Sequence, residues 1–181
     1  MPIYKQDENT VSRAAVEQLL HLMDRAFTGI GESPADVGHS LLANLSSVNE
    51  DEWRWLPPGG RRSVFDIVRH VGECYYVYDD HAFGDGSMRW DRPGTVPTVD
   101  HETAREAVTD WLQEGHRRLR DHAAALTDED LEQPSRVNWG EIKDLRWIIA
   151  AMIEHDLYHA GEINHIRALR QGNDRWAWES S

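Results

Sequence analysis

The sequence has almost no cysteine and a shortage of basic residues. Cys74 is the only cysteine in 181 residues, so no disulfide can form within the chain, as is typical of a reducing compartment. Lysine and arginine number 19 against 32 aspartates and glutamates, and the formal net charge at pH 7 is −13. Because nucleic-acid binding depends on cations that neutralise phosphates, this balance argues against a nucleic-acid partner.

Long apolar runs are also missing. The longest uncharged apolar run, Trp147 to Ile153, is far shorter than the roughly 20 residues that a membrane-spanning helix needs. The first ten residues are polar and lack the pattern of a secretory signal. We therefore expect a soluble, cytoplasmic protein with no membrane partner. Apolar residues still make up 40% of the chain, enough for a single domain that spans residues 1–181.

Nearly all periodic segments have a helical spacing, and none is typical of a strand. The stretch from Val11 to Gly29 predicts an N-terminal helical segment. Ser33-Pro34-Ala35-Asp36 has the N-cap, proline and acid that begin another helix. Ser63 and Asp66 form a capping box at the start of a helix that should reach about His81. The sequence therefore predicts an all-α fold.

Two further helices follow after an unusually long connection. Asp100 is expected to cap a helix that continues through Leu126, and Asn138-Trp139-Gly140-Glu141 resembles a capping box for a last helix that ends near Arg170. The connection from Gly84 to Thr98 is long for neighbouring helices. We expect it to cross the length of the domain between parallel helices, or to fold over a site as a lid, and both roles are compatible.

The clearest chemical signal is a pair of histidines on the last helix. His155 and His159 are four residues apart, which places them about 40° apart around the helix, on a stripe that is otherwise apolar. They should face the interior, where each ring nitrogen needs a partner and a metal ion can supply one. The alternative is a pair of partly buried histidines that hydrogen-bond to neighbouring groups or to water.

His70 favours the metal interpretation. It lies in the apolar middle of the helix that follows Ser63 and would add a third imidazole, which leaves coordination positions open as a catalytic site requires. Cys74, one turn later, could be a ligand or a nucleophile but is more often a small buried apolar residue. The other seven histidines are interpreted as surface or packing residues. The pattern selects none of the carboxylates that could orient the ligands, which are Asp66, Glu154, Asp156 and Glu162.

These residues give the chain a resemblance to the DinB/YfiT-like superfamily of four-helix-bundle metalloproteins. Ser63-Val64 through His70 resembles the family's pattern on helix 2. His155 through Ile163 is similar to its last-helix signature, H-x-x-x-H-x-G-[EQ]-[IL]. Leu45 through Pro57 is similar to the linker before helix 2, and the resemblance spans roughly residues 35 to 170.

The resemblance implies a four-helix bundle with up-down-down-up connectivity. In that arrangement the Gly84–Thr98 segment is the crossover between parallel helices 2 and 3, and Val11–Gly29 is an additional N-terminal helical segment. The resemblance also implies that His70, His155 and His159 bind a divalent metal ion, usually zinc or nickel. Dimers are common among similar proteins, so a homodimer is expected here.

Similar proteins include transferases and isomerases that use low-molecular-weight thiols such as bacillithiol or mycothiol. The expected function is therefore metal-dependent S-transfer from a thiol to a small electrophilic molecule. Two alternatives remain. One is a metal-dependent hydrolase, in which bound water attacks a carbonyl, and the other is a non-enzymatic bundle that binds a metal or another ligand.

Overall fold

Four long helices hold about half of the residues that the structure describes. The computed structural model describes residues 11–31, 33–173 and 175. Its long helices are α1 (Ala14–Phe27), α5 (Val64–Phe83), α6 (Arg105–Ala124) and α7 (Leu145–Gln171). The shorter elements are α2 (Pro34–Gly38), α3 (Leu41–Ser46), α4 (Glu50–Trp53), a 3-10 turn (Asp130–Glu132), β1 (Pro134–Arg136) and β2 (Ile142–Asp144). The mostly helical content confirms the fold class in outline.

None of the helices in the described ranges combines the length and the apolar composition that crossing a bilayer requires.

The start of α5 follows from its own sequence. The Ser63 side chain accepts a hydrogen bond from the Asp66 amide, and the Asp66 carboxylate accepts one from the Ser63 amide at 2.9 Å. These two bonds satisfy backbone donors that the first helical turn leaves unpaired. The predicted capping box is confirmed, and α5 ends at Phe83, two residues beyond the expected end.

Contacts between α5 and α6 show that these two helices run in the same direction. A side chain added at Gly72 would meet the indole of Trp111, and farther along both helices Asp79 lies 2.6 Å from Nδ1 of His122. The residue numbers of the contacting pairs therefore rise together. Two parallel neighbours need a connection that returns over the whole length of a helix.

The segment 84–104 makes this return along α5. The carbonyl of Met88 lies 3.0 Å from Nε2 of His81, near the end of α5, and Thr98 donates a hydrogen bond of 2.5 Å to Glu73, near its middle. The segment therefore passes within one helical turn of His70 on its way back.

Two other pairs of long helices are antiparallel. Arg13 donates to the carbonyl of Ala124 at 2.7 Å, and Asp24 pairs with Arg120 at 2.6 Å, so α1 runs against α6. Tyr75 of α5 contacts Asp156 of α7, and Tyr78 packs against the cluster that contains Leu145 and Ile148, so α7 runs against α5.

Two predicted helix starts are wrong because other turns use the same residues. Helix α6 begins at Arg105, since Asp100 accepts hydrogen bonds from the Glu102 amide at 3.0 Å and the Thr103 hydroxyl at 3.1 Å, which makes a turn. The Asn138–Glu141 stretch does not open α7. It forms the turn of an antiparallel hairpin in which Pro134 pairs with Asp144, so the expectation of no strand is also wrong.

The hairpin has a local cause. Gly140 has a φ of 96°, in the left-handed region that glycine tolerates and that a helix excludes. The side chain of Asp144 then accepts from the Trp147 amide at 2.7 Å and provides the N-cap of α7. The helix that follows has 27 residues, about 40 Å at 1.5 Å per residue.

The N-terminal region also differs from expectation. α1 is one of the four long helices rather than an additional segment, and it packs against both α6 and α7. The helix expected from Ser33 onward is instead broken into short pieces, because Ser40 accepts from the Ala43 amide and begins a new helix, α3. The predicted proline at the first helical position is in place, but the side chains of Pro34 and Ala35 lie outside the described residues.

The core lies between α1, α5, α6 and α7, and His116 packs into it. Its largest fully buried side chains include Phe27, Trp53, Phe65 and Tyr75. His116 of α6 is 5% exposed, and its ring stacks on Phe27 with the centroids 3.8 Å apart. The interpretation of His116 as a packing residue is confirmed. Burial lowers its pKa from 6.5 to about 4.

This buried imidazole predicts a loss of stability in mild acid. The unfolded chain binds a proton on His116 near pH 6.5, whereas the folded chain binds it only near pH 4. The free energy of unfolding therefore decreases as the pH falls between these two values. The loss should reach about 3 kcal/mol at pH 4. In urea unfolding from pH 7 to pH 4, His116→Phe should lose less stability than the natural protein by about that amount. The prediction would be contradicted if the free energy of unfolding fell equally with pH in the two proteins.

Candidate metal centre

Three imidazole nitrogens converge between α5 and α7. Nε2 of His155 lies 3.2 Å from Nε2 of His70 and 3.1 Å from Nε2 of His159. The ligand atoms of all three side chains lie within 4.8 Å of one another. His159 is buried, while His70 and His155 are half-buried. The structure thus brings together the three residues that the sequence singled out.

Hydrogen bonding alone is a poor explanation of this arrangement. A neutral imidazole nitrogen carries either one proton or one lone pair, so Nε2 of His155 can make one well-aligned hydrogen bond but not two. Protonation of the ring is disfavoured as well. Burial, together with the neighbouring His159 and His70, lowers the pKa of His155 to about 3. Three lone pairs that point at one cation satisfy all three nitrogens at once.

The spacing of the nitrogens fits a divalent ion. Two nitrogens bound tetrahedrally to one zinc ion, each at about 2.0–2.1 Å, lie roughly 3.3 Å apart, close to the two distances observed. Burial also lowers the pKa of His70 and His159, which keeps the imidazoles in the neutral form that binds a metal. The residues therefore fit a three-histidine metal site that leaves coordination positions open.

One of the four candidate carboxylates holds a histidine in place. The Nδ1–H of His159 donates to Glu162 at 2.8 Å, which fixes the tautomer that leaves the Nε2 lone pair free. The other oxygen of Glu162 lies 3.2 Å from a guanidinium nitrogen of Arg62. The three-residue spacing of His159 and Glu162 made this carboxylate a candidate partner of the ring. No sequence pattern indicated that Arg62, in the loop before α5, would lie beside it.

The remaining carboxylates have other roles. Asp66 belongs to the capping box, and Glu154 is exposed. Asp156 is buried and accepts a hydrogen bond of 2.5 Å from the hydroxyl of Tyr75, which ties α7 to α5 beside the histidines. Burial raises the pKa of Asp156 to about 8. Sequence patterns did not point to Tyr75 as its partner.

Cys74 is not arranged as a ligand or a nucleophile. Its sulfur lies 3.8 Å from Nε2 of His70 but is not among the converging ligand atoms. Burial, with the charges of Glu73 and Asp156, raises the pKa of Cys74 to about 12, so its thiol stays protonated. The interpretation of this cysteine as a small buried residue fits the structure.

Replacing Glu162 should weaken metal binding without removing a ligand. We expect Glu162→Ala to lower the affinity for zinc by about 10–100-fold, because the His159 ring loses the bond that orients it. Glu162→Gln should lose less of its zinc affinity, since its amide oxygen can still accept a hydrogen bond from Nδ1 of His159. Competition with a chromophoric chelator measures the affinities. Glu154→Ala, an exposed carboxylate on the same helix, is the control, and equal losses in Glu162→Ala and Glu154→Ala would count against the role.

The chain matches a known protein family. The DinB superfamily profile matches residues 35–163, well over half of the chain and a range that includes all three histidines. A search of the curated proteins found no match. The extent of the match, together with the histidine cluster, shows that this chain belongs to the DinB superfamily.

Proposed function

We propose that the protein is a metal-dependent enzyme that transfers a low-molecular-weight thiol to a small electrophile. His70, His155 and His159 would hold a divalent ion, with zinc or nickel as the candidates. The observation that supports this is the convergence of three Nε2 atoms at 3.1 and 3.2 Å. A divalent ion bound there supplies a Lewis acid that favours the thiolate form of a thiol near neutral pH.

The surroundings of the histidines favour thiol transfer over hydrolysis. A hydrolase gains from a free carboxylate that takes a proton from the attacking water. In the described part of the chain, Glu162 is bonded to His159, Asp156 to Tyr75, and Asp66 to the amide of Ser63. A thiolate needs no such base at the moment of attack, so positioning is the main task left to the protein.

The reaction balances without another reactant. The sulfur forms a bond to the electrophilic carbon, and the bond from that carbon to its leaving group breaks. The leaving group departs with the electron pair, and the thiol proton passes to solvent. Glu162 keeps the His159 ring oriented, while the bond between Tyr75 and Asp156 holds α5 and α7 in register.

We further propose that α1, α5, α6 and α7 form an up-down-down-up four-helix bundle within a single domain. The parallel contacts of α5 with α6, and the antiparallel contacts of α5 with α7 and of α1 with α6, support this arrangement. As partners we propose a small-molecule substrate and a second copy of the chain, in the cytoplasm.

The activity can be tested with zinc-loaded protein and a fluorogenic electrophile, monochlorobimane. With 2-mercaptoethanol present, we expect the zinc-loaded protein to raise the rate of product formation above the rate without protein. His159→Ala should show no such increase in rate. A thiol-independent hydrolysis of p-nitrophenyl acetate, with no thiol transfer, would favour the hydrolase instead. Retained zinc with neither activity would overturn the proposal in favour of a non-enzymatic bundle.

A further inference from the structure

One arginine lies beside the three histidines. A guanidinium nitrogen of Arg62 is 3.2 Å from Glu162, whose other oxygen binds His159 at 2.8 Å. Only one carboxylate and one imidazole therefore separate this cation from the converging nitrogens. Burial is the main cause of the lowered pKa of His70 and His159, but the positive charge of Arg62 contributes to both.

Most of the hydrogen-bonding capacity of Arg62 is unused. A guanidinium has five N–H donors in a planar fork, and within the described residues the contact with Glu162 is the one ion pair that Arg62 makes. Its side chain is 48% exposed, so the other donors can reach a ligand. Glu162 holds the fork in place, which lowers the entropy that binding a ligand would cost.

The charge of the whole chain makes this cation significant. With a net charge of −13, most of the surface repels anions. Glu73, one turn after His70, adds negative charge on the same helix. The proposed divalent ion would be occupied by the thiolate, so a second anionic group on the substrate needs a cation of its own. A guanidinium can bind a carboxylate through two parallel hydrogen bonds.

We propose that Arg62 binds a carboxylate on the thiol substrate and so makes the site selective for anionic thiols. The inference rests on the proposed function and names the class of thiol that it uses. Arg62 acts here as a specificity-determining residue, while the three imidazoles hold the ion. Arg61, its neighbour in the chain, is also exposed but has no ion pair within the described residues, so it serves as a matched control.

The test compares two thiols that differ in charge and are closely matched in size. Calorimetry on zinc-loaded protein should show that 3-mercaptopropionate binds about 10-fold or more tightly than 3-mercapto-1-propanol, as expected for a charge-assisted hydrogen bond. Arg62→Ala should remove this preference, so that the two thiols bind with equal affinity. Arg61→Ala should keep the preference, and Arg62→Lys should keep part of it. Elemental analysis should find equal zinc in all variants.

Two results would overturn the inference and spare the proposed function. One is that the natural protein binds the two thiols with equal affinity. The other is that Arg62→Ala loses the same amount of affinity for both thiols, which would indicate an indirect effect through Glu162. If neither thiol binds the zinc-loaded protein, the proposed thiol transfer fails and the inference falls with it.

Discussion

His159→Ala should lose tight binding of a divalent ion while the helices stay folded. The substitution removes one of the three converging nitrogens and leaves two rings that cannot enclose an ion on three sides. Loss of a residue that merely orients a ligand typically costs 10–100-fold in metal affinity, so loss of the ligand itself should cost more than about 100-fold. Alanine is a good helix former, so α7 should persist.

The measurement is the metal content of protein purified without a histidine tag. His165→Ala is the control, because His165 lies on the same helix but is exposed. Circular dichroism should find equal helicity in both variants. A His159→Ala protein that carries as much metal as His165→Ala would show that the three rings are not a binding site.

Gly72→Ala should destabilise the protein, although alanine favours helices more than glycine does. A Cβ at this position would overlap the indole of Trp111. That indole is itself stacked on Tyr76, so it cannot move away freely. Overpacking of this kind typically costs 1–3 kcal/mol, more than the roughly 1 kcal/mol that the helix propensity returns.

The comparison with Gly161→Ala separates these two effects. Gly161 is exposed on α7, and a Cβ there would meet no atom within 4 Å. That variant should therefore gain up to about 1 kcal/mol. Urea unfolding of both variants at neutral pH tests the pair. If Gly72→Ala were as stable as Gly161→Ala, this would contradict the claim that α5 and α6 pack too closely at Gly72 to admit a side chain.

The sequence predicted the features that depend on spacing within one helix. The capping box of Ser63 and Asp66 begins α5, and the four-residue spacing of His155 and His159 puts both rings on one face. The apolar surroundings of His70 made it the candidate for a third ligand, but they did not determine which side of the helix it occupies. These are local patterns with a fixed period, which tertiary structure did not override.

Features that depend on distant partners were missed. The first turn of α1 has no cap from its own N-cap residue, Arg13, and its amides instead donate to Asp128, as those of Ala15 and Val16 do at 3.0 and 3.1 Å. Asp128 lies more than a hundred residues later in the chain. A helix whose start is satisfied from so far away carries no capping signal of its own.

The same reason explains what was missed around the metal centre. Glu162 was a candidate because it shares a helix with His159, but Arg62 and Tyr75 come from other segments. The hairpin before α7 was missed for a different reason. The residue types at Asn138–Glu141 match a capping box. The left-handed backbone of Gly140, which the residue types alone do not show, makes this stretch a turn and not a helix start.

His70 and His155 are 85 positions apart in the chain, and the unfolded polypeptide has no means of holding them together. A cation that binds all three rings would therefore bind the native state almost exclusively. By mass action, every tenfold rise in free ion above the dissociation constant would add about 1.4 kcal/mol to the free energy of unfolding. Resistance to heat would then report how much ion is available around the protein.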